Sequence, residues 1–337
     1  MDDRELRVGI VGVGLMGADH ADRIARRLAN ARLVAVSDPD TDRAQAVAGQ
    51  YKGVRAIGDV FDLVADDEVD AVVIASPGSV HEEQVLACLE AGKHTLCEKP
   101  LTTDSASSLR LVRAERDRGK SLVQLGFMRR FDPEYVRLKE LLSSGRLGRT
   151  LVVHNIHRNK SVPDSFRSEM IVRDSLVHEV DVARFVFGEE IEEITVLSPA
   201  PSGHSPEGVV DPQIAIFRMT GGGIVTNEVF VRSQVGYEVR CEVVCERGTV
   251  IAGRPSGDLY STADGSWGGA IPEDFRARFA RAYDLELQSW VDASRRGEVV
   301  GPSTWDGYAA TAVCEAGLTS LATGAPVRVD LADTNHA

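Results

Sequence analysis

The residues best equipped for acid–base chemistry stand in one short run, Asp174-Ser175-Leu176-Val177-His178-Glu179-Val180-Asp181. Read as an α-helix, Asp174, His178 and Asp181 fall at i, i+4 and i+7 and share one face. Apolar Leu176, Val177, Val180, Ala183 and Phe185 would hold that segment to a core. A carboxylate one turn from an imidazole fixes the ring's tautomer and raises its basicity, as a general base requires. Taken alone, the run reads equally well as a helix with solvent-facing charges, and the flanking chain has to decide. As metal ligands, the same three side chains find no Cys or His partner at ligand spacing, so no metal is expected.

The first third of the chain carries the pattern of a cofactor platform. Residues 6–11 read as a buried strand, and Gly12-Val13-Gly14-Leu15-Met16-Gly17 then opens a helical stretch through Leu28. Glycines so spaced permit a tight turn, close approach of backbone to a pyrophosphate and tight helix–strand packing, with free helix N–H groups facing the phosphates. The motif alone is weakly specific. Here it also precedes a second strand, 32–37, and Asp38 follows near the ~20-residue offset of a ribose-binding carboxylate. Read locally, Asp38 is only a turn residue before Pro39. With Asp40 and Asp42 nearby it would repel a 2′-phosphate, so NAD is expected over NADP; Arg43 is the one local residue that argues otherwise.

Strands over 69–75, 94–97 and 121–126 alternate with helices over 81–91 and 105–118, the pattern of a parallel doubly wound sheet. Ligands bind at the carboxyl ends of such strands. Ser76-Pro77-Gly78, Glu98-Lys99-Pro100 and Phe127-Met128-Arg129 stand at those ends. Pro100 favours an extended backbone at Lys99 and aims its ammonium into the crevice. A lone lysine after a strand is ordinarily solvated; after a dinucleotide platform and beside Glu98, Lys99 is a catalytic candidate. His20 and His94 read as structural, and His81 as either structural or flanking the nicotinamide.

With 337 residues, the chain exceeds the size at which single cores stop growing, so two domains are expected. A composition of 43% hydrophobic and 26% charged residues is that of a soluble globular protein. The net charge of -13, without a dense basic cluster, argues against a nucleic-acid partner. No apolar run approaches the ~20 residues that span a bilayer, and the acidic start is unlike a signal peptide. The five cysteines, Cys88, Cys97, Cys241, Cys245 and Cys314, are odd in number and scattered, which suits reduced thiols in a cytoplasmic protein.

Beyond residue 125 the texture changes to an expected α+β domain over 126–337, built on a large open, mostly antiparallel sheet. A helix over 133–144 precedes a strand over 150–158, in which His154 lies on one face and Asn155, His157 and Asn159 on the other. After the Asp174 helix come strands over 191–198, 213–220, 223–231, 237–245 and 249–252, with Gly221-Gly222-Gly223 and Arg247-Gly248 as turns. Residues 198–212 and 253–274 read as loops. Phe275, Phe279, Tyr283 and Trp290 then form one helical stripe. A broad exposed sheet face would need covering, which makes assembly through it plausible.

Taken together, the glycine motif, Cys97-Glu98-Lys99-Pro100 and the Asp174–Asp181 run resemble the Gfo/Idh/MocA family of oxidoreductases. The segments 123–132, His157-Arg158-Asn159, 236–242 and 301–308 narrow the likeness to its inositol-oxidising branch. The resemblance covers nearly the whole chain. It implies a Rossmann domain followed by an open-sheet domain, NAD as cofactor and assembly as a homotetramer. It further implies a small cyclic polyol as substrate, myo-inositol first. It puts Lys99, Asp174 and His178 at catalytic positions, with His178 as base. Met128, Arg129, His157, Asn159, Asp181 and Tyr237 match positions that hold the polyol. Taken without the resemblance, His157 and Asn159 read as strand residues, Tyr237 as a core-edge aromatic and Arg129 as an ion-pair partner. Val235 and Phe275 depart from the pattern, since an aromatic and a tryptophan are expected there. Those departures bear on which polyol fits: a scyllo-inositol, an aldose or an aminocyclitol is the alternative. A dinucleotide sensor without catalysis is the outsider.

Overall fold

The structure is a computed structural model, and it describes residues 4–253, 260–263, 265–267 and 271–333. The chain divides into two compact units, one of Met1–Met128, Ala282–Thr311 and Ala332–Ala337, the other of Arg129–Arg281 and Ala312–Leu331. The second domain expected over 126–337 therefore does not run unbroken to the C-terminus. Leu287, Trp290 and Val291 are the physical reason: they are buried in the same core as Val8, Ile10, Leu33, Val36 and Val73.

The first unit alternates strand and helix as its sequence pattern dictates. The elements are β1 (Leu6–Val11), α1 (Leu15–Arg26), β2 (Ala31–Ser37), α2 (Thr41–Ala48), β3 (Arg55–Ile57), α3 (Val60–Ala65), β4 (Ala71–Ile74), α4 (His81–Glu90), β5 (His94–Glu98), α5 (Ser105–Asp117) and β6 (Val123–Gly126). The strands pair in parallel in the order β3-β2-β1-β4-β5-β6. Covered on both faces, they are apolar runs, and β4 is buried at every position. The order reverses between β1 and β4, and such a switch point opens a crevice at the strands' carboxyl ends.

The second unit starts with α6 (Pro133–Ser143), where Pro133 opens the helix and Asp132 caps it, and β7 (Thr150–Arg158). One turn of helix, α7 (Ser168–Met170), runs into a π-helical stretch, Ile171–Leu176, and then α8 (Val177–Phe187). The α-helix expected through Asp174 is thus corrected: Asp174 lies in the π stretch and His178 in the α-helix, so the simple i, i+4, i+7 face does not apply. Such π turns concentrate at functional positions. Gly188, at φ 72°, ends α8 in the left-handed conformation.

There follow β8 (Ile191–Leu197), β9 (Gln213–Met219), β10 (Ile224–Phe230), β11 (Glu238–Cys245) and β12 (Gly248–Ala252). Of the loop expected over 253–274, residues 254–259, 264 and 268–270 lie outside the described residues. The described part includes a small antiparallel pair, β13 (Tyr260–Thr262) and β14 (Gly265–Trp267). The chain closes with α9 (Phe275–Arg278), α10 (Ala280–Arg295), α11 (Thr304–Thr323) and β15 (Val327–Arg328). Seven strands form one sheet in the order β12-β11-β7-β10-β9-β8-β15. Every pairing is antiparallel except β10 with β7. Alternation fixes its two faces: Val153, Asn155 and His157 are buried, while His154 is exposed.

Candidate active site

The candidate residues fall into two groups, one in each unit. In the first, Gly12, Gly14, Asp38, Arg43 and Ser76 line a cavity of about 600 Å³ at the carboxyl ends of β1, β2 and β4. Gly12 has φ +80°, and a Cβ there would lie 2.6 Å from the Ser76 nitrogen; one on Gly17 would lie 1.8 Å from the Gly12 oxygen. Among the described residues nothing stands within 4 Å of a Cβ on Gly14, so the backbone there is open to a close-approaching group. Gly14 caps α1 without a side chain, and the first turn holds no acidic residue, which leaves the helix N–H groups free for an anion. Leu15 is exposed and Met16 half-buried at that same helix start.

Asp38 is one of the residues lining this cavity. Its carboxylate accepts the backbone N–H groups of Val13 (2.9 Å) and Asp40 (2.9 Å) and an Arg43 guanidinium N–H (2.8 Å). Burial alone would raise its pKa, but Arg43 and the two backbone donors outweigh it and hold the carboxyl below its ordinary value. An ionised acceptor fixed at this place suits the paired hydroxyls of a ribose. The residues present therefore fit a dinucleotide without a 2′-phosphate.

Glu98 points inward rather than to this cavity. Its carboxylate meets His20 Nε2 at 2.8 Å and accepts the Lys99 backbone N–H at 3.3 Å. Gly126 lies so close that a Cβ there would sit 3.0 Å from Glu98 Oε2. His81 ties two strand ends together, with Nε2 2.8 Å from the Ser76 carbonyl and Nδ1 2.9 Å from the Pro100 carbonyl. Two carbonyls favour a doubly protonated ring and burial opposes it; burial is the larger effect, and His81 titrates below its ordinary value.

In the second unit, the buried face of the seven-stranded sheet gathers Arg129, His157, His178 and Tyr237. The His157 ring lies edge-on to His178 at 6.2 Å and to Tyr237 at 5.8 Å, centroid to centroid. Phe275 and Phe279 flank Tyr237 at 6.4 and 6.1 Å. Burial pushes the Tyr237 hydroxyl up to about 12 against the pull of Arg129. Asn159 donates its backbone N–H to Phe230, and its buried side-chain oxygen has no hydrogen-bond partner among the described residues. Asp174 receives both forks of Arg173, at 2.9 and 3.0 Å. Asp181, nearly fully buried, is gripped by Arg130 at 2.6 to 3.1 Å. Met128, buried, stands at the end of the first unit's chain segment.

One residue without a role in the sequence reading sits at the centre of this cluster. Glu179, with a wholly buried side chain, takes a guanidinium N–H of Arg129 and the Nδ1 of His157 at 3.1 Å. Burial alone would push its carboxyl up, but Arg129 and then His157 outweigh it and bring it down to about 2. The signal was available: Glu179 shares a helical face with Val182, Ala183 and Val186, and a carboxylate on an apolar stripe must be paired.

A doubly wound sheet with a glycine-lined cavity at the carboxyl ends of its strands, and a second unit with a buried cluster of histidines and paired charges, are the features of a dinucleotide-dependent oxidoreductase. Residues 6–127 match the model of the oxidoreductase family with an NAD-binding Rossmann fold, and residues 135–251 match the GFO/IDH/MocA C-terminal domain. The chain belongs to that Gfo/Idh/MocA family. It is 54% identical to Inositol 2-dehydrogenase 2 of Mycolicibacterium vanbaalenii, over 98% of this chain and 96% of the relative. It is 53% identical to Inositol 2-dehydrogenase of Rhodococcus erythropolis, over 98% and 97%. Among solved structures, myo-inositol dehydrogenase of Lactobacillus casei, in complex with NAD(H) and myo-inositol, superposes with a TM-score of 0.94 at 34% identity. That match covers 98% of both chains.

Proposed function

We propose that this protein oxidises one ring secondary alcohol of a cyclic polyol with NAD, most readily myo-inositol to 2-keto-myo-inositol. One observation carries the polyol half of the reading. In the second unit His157 packs edge-on to His178 and Tyr237, and two residues along the chain Asn159 has a buried side-chain oxygen with no hydrogen-bond partner among the described residues. Such a set suits a ring bearing several hydroxyls and rejects analogues that lack one, because buried polar groups would be left unpaired. The near-full-length similarity to inositol 2-dehydrogenases supports the choice of ring.

Bound NAD supplies the hydride acceptor; the chain's own residues manage the proton and the geometry. A sugar-type hydroxyl ionises far above neutral pH, so a base and a cationic donor must both reach its oxygen. In this reading His178 takes the hydroxyl proton, and Asp174, fixed by Arg173, orients the ring and stabilises the imidazolium. Lys99 stabilises the developing alkoxide and relays the proton. The reading requires Lys99 and His178 to act on the same hydroxyl. Arg129, His157, Asn159, Asp181 and Tyr237 register the polyol, while Asp38 holds the adenosine ribose.

A panel of cyclitols and sugars, each with NAD or NADP and followed at the NADH absorbance band, tests the reading. Turnover of myo-inositol with NAD is expected. Turnover of only another polyol, such as scyllo-inositol, an aldose or an aminocyclitol, would transfer the reading to that substrate. Phe275 beside Tyr237 makes that the second choice. Tight NAD binding without any turnover would leave a sensor and overturn the enzyme.

The same reading makes the protein a cytoplasmic homotetramer. The five cysteines are buried, and among the described residues no helix is long and apolar enough to cross a membrane. The second sheet's open face carries half-exposed Ile156, Ile214, Ile216 and Phe230, with Arg158 paired to Glu228 and Glu238 among them. Apolar and complementary charged groups in one register suit a self-complementary contact. Light scattering coupled to gel filtration checks the subunit number, and a monomer would sink the tetramer.

A further inference from the structure

We infer that Glu179 is a positioning residue for the polyol: its carboxylate fixes His157 as the Nδ1–H tautomer, so that Nε2 meets a substrate hydroxyl as an acceptor. What His157 binds rests on the polyol reading above; the state of its ring does not.

An ionised carboxylate can only accept hydrogen bonds. The proton in the 3.1 Å contact between His157 Nδ1 and Glu179 Oε2 therefore sits on the imidazole. Arg129 Nη2 lies farther from the same nitrogen, at 3.4 Å, and as a donor it cannot receive that proton. A neutral ring protonated at Nδ1 keeps its one lone pair at Nε2. His178 and Tyr237, edge-on to the ring, restrain it from turning over.

The carboxylate is needed rather than any polar group of the same shape. Arg129 offers only donors, and its guanidinium claims one oxygen of Glu179. A glutamine would have a single oxygen to give. Arg129 would take it, and the amide NH₂ would face His157 Nδ1. That nitrogen would then have to accept, and the proton would move to Nε2. Glu179→Gln therefore reverses the polarity that His157 shows to a ligand while leaving the packing volume unchanged. Because Glu179 follows His178 directly, one turn of α8 carries the proposed base and sets the neighbouring substrate contact.

The test uses the intact protein, labelled with ¹⁵N-histidine, and a long-range ¹⁵N–¹H spectrum at neutral pH. The His157 signals are assigned by their loss in His157→Gln. The wild type is expected to show the proton on Nδ1 and a lone pair on Nε2, and Glu179→Gln the reverse. In parallel, Glu179→Gln is expected to raise KM for the polyol about tenfold or more, the scale of one lost hydrogen bond, with a smaller fall in kcat. NAD affinity by fluorescence should be unchanged, and Glu179→Asp should recover part of the loss in KM.

A wild-type ring protonated at Nε2, or at both nitrogens, overturns the proposal. So does a raised KM without tautomer exchange, which would make Glu179 merely structural. Should Glu179→Gln fail to fold, the wild-type spectrum decides alone. If no cyclitol is turned over, the polyol reading fails while the spectrum still reports on Glu179.

Discussion

The two groups of candidate residues are built from different materials. The candidate cofactor cavity is made largely of backbone: glycines that bring main chain close, a bare helix start, and an aspartate held by the N–H groups of Val13 and Asp40. The cluster on the second unit's sheet is made of side chains, with Arg129, His157, Glu179 and Tyr237 delivered from separate segments and tied by buried charge. The first should fail when atoms are added and the second when charge or a proton site is removed.

The sharpest break of that contrast is His178→Ala. General-base assistance is worth ~10²–10⁴-fold, so kcat should fall by that order with NAD affinity intact. Stopped-flow turnover and a fluorescence titration check both halves, and unchanged turnover removes His178 from the chemistry. On the backbone side, Gly17→Ala forces a Cβ to 1.8 Å from the Gly12 oxygen. Overpacking of this kind costs roughly 1–3 kcal/mol, and NAD binding should weaken with the thermal midpoint. Gly14→Ala, placed in open space, should lower NAD affinity with little change in Tm; equal melting losses in the two variants would erase the distinction between them.

Acid titration isolates the buried charge. The Glu179 carboxyl is lowered from 4.5 to about 2. The stability it contributes is therefore fully present above pH 4.5 and is lost as the pH falls toward 2. At 1.36 kcal/mol per pH unit the effect is on the order of 3 kcal/mol. Denaturant melts across that window should show a flatter profile for Glu179→Gln than for the wild type, and parallel profiles would contradict the assignment. The smallest effect belongs to Arg43→Ala. Its guanidinium is solvent-exposed, so water screens the pair with Asp38 and its loss should barely change stability. The ratio of kcat/KM for NADP to that for NAD should fall, and a rise would show that Arg43 does not favour the phosphate.

What could be read without the structure follows the same division. Gly12, Gly14, Gly17 and Asp38 were legible because their geometry is local: a turn, a helix start and a carboxylate at the next strand's end. The facing of His157 and His154 was legible because alternation along one strand is strict. Glu179 was not assigned, because its partners lie 22 and 50 residues away and nothing in the run names them. Asp181 likewise shows no sign in sequence of Arg130, 51 residues distant. The π stretch before His178 was missed because the same residues are compatible with an α-helix, and only tertiary packing selects between them. The stripe of Phe279, Tyr283 and Trp290 announced burial but not which core would receive it.

That last point governs how the molecule could be taken apart. A gene cut after codon 128 would encode every strand of the parallel sheet yet omit Leu287, Trp290 and Val291, which complete its hydrophobic interior. The product would present a greasy scar to solvent and is expected to aggregate. Grafting this nucleotide platform onto a foreign recognition module thus calls for a two-point exchange that carries residues 282–311 along with it.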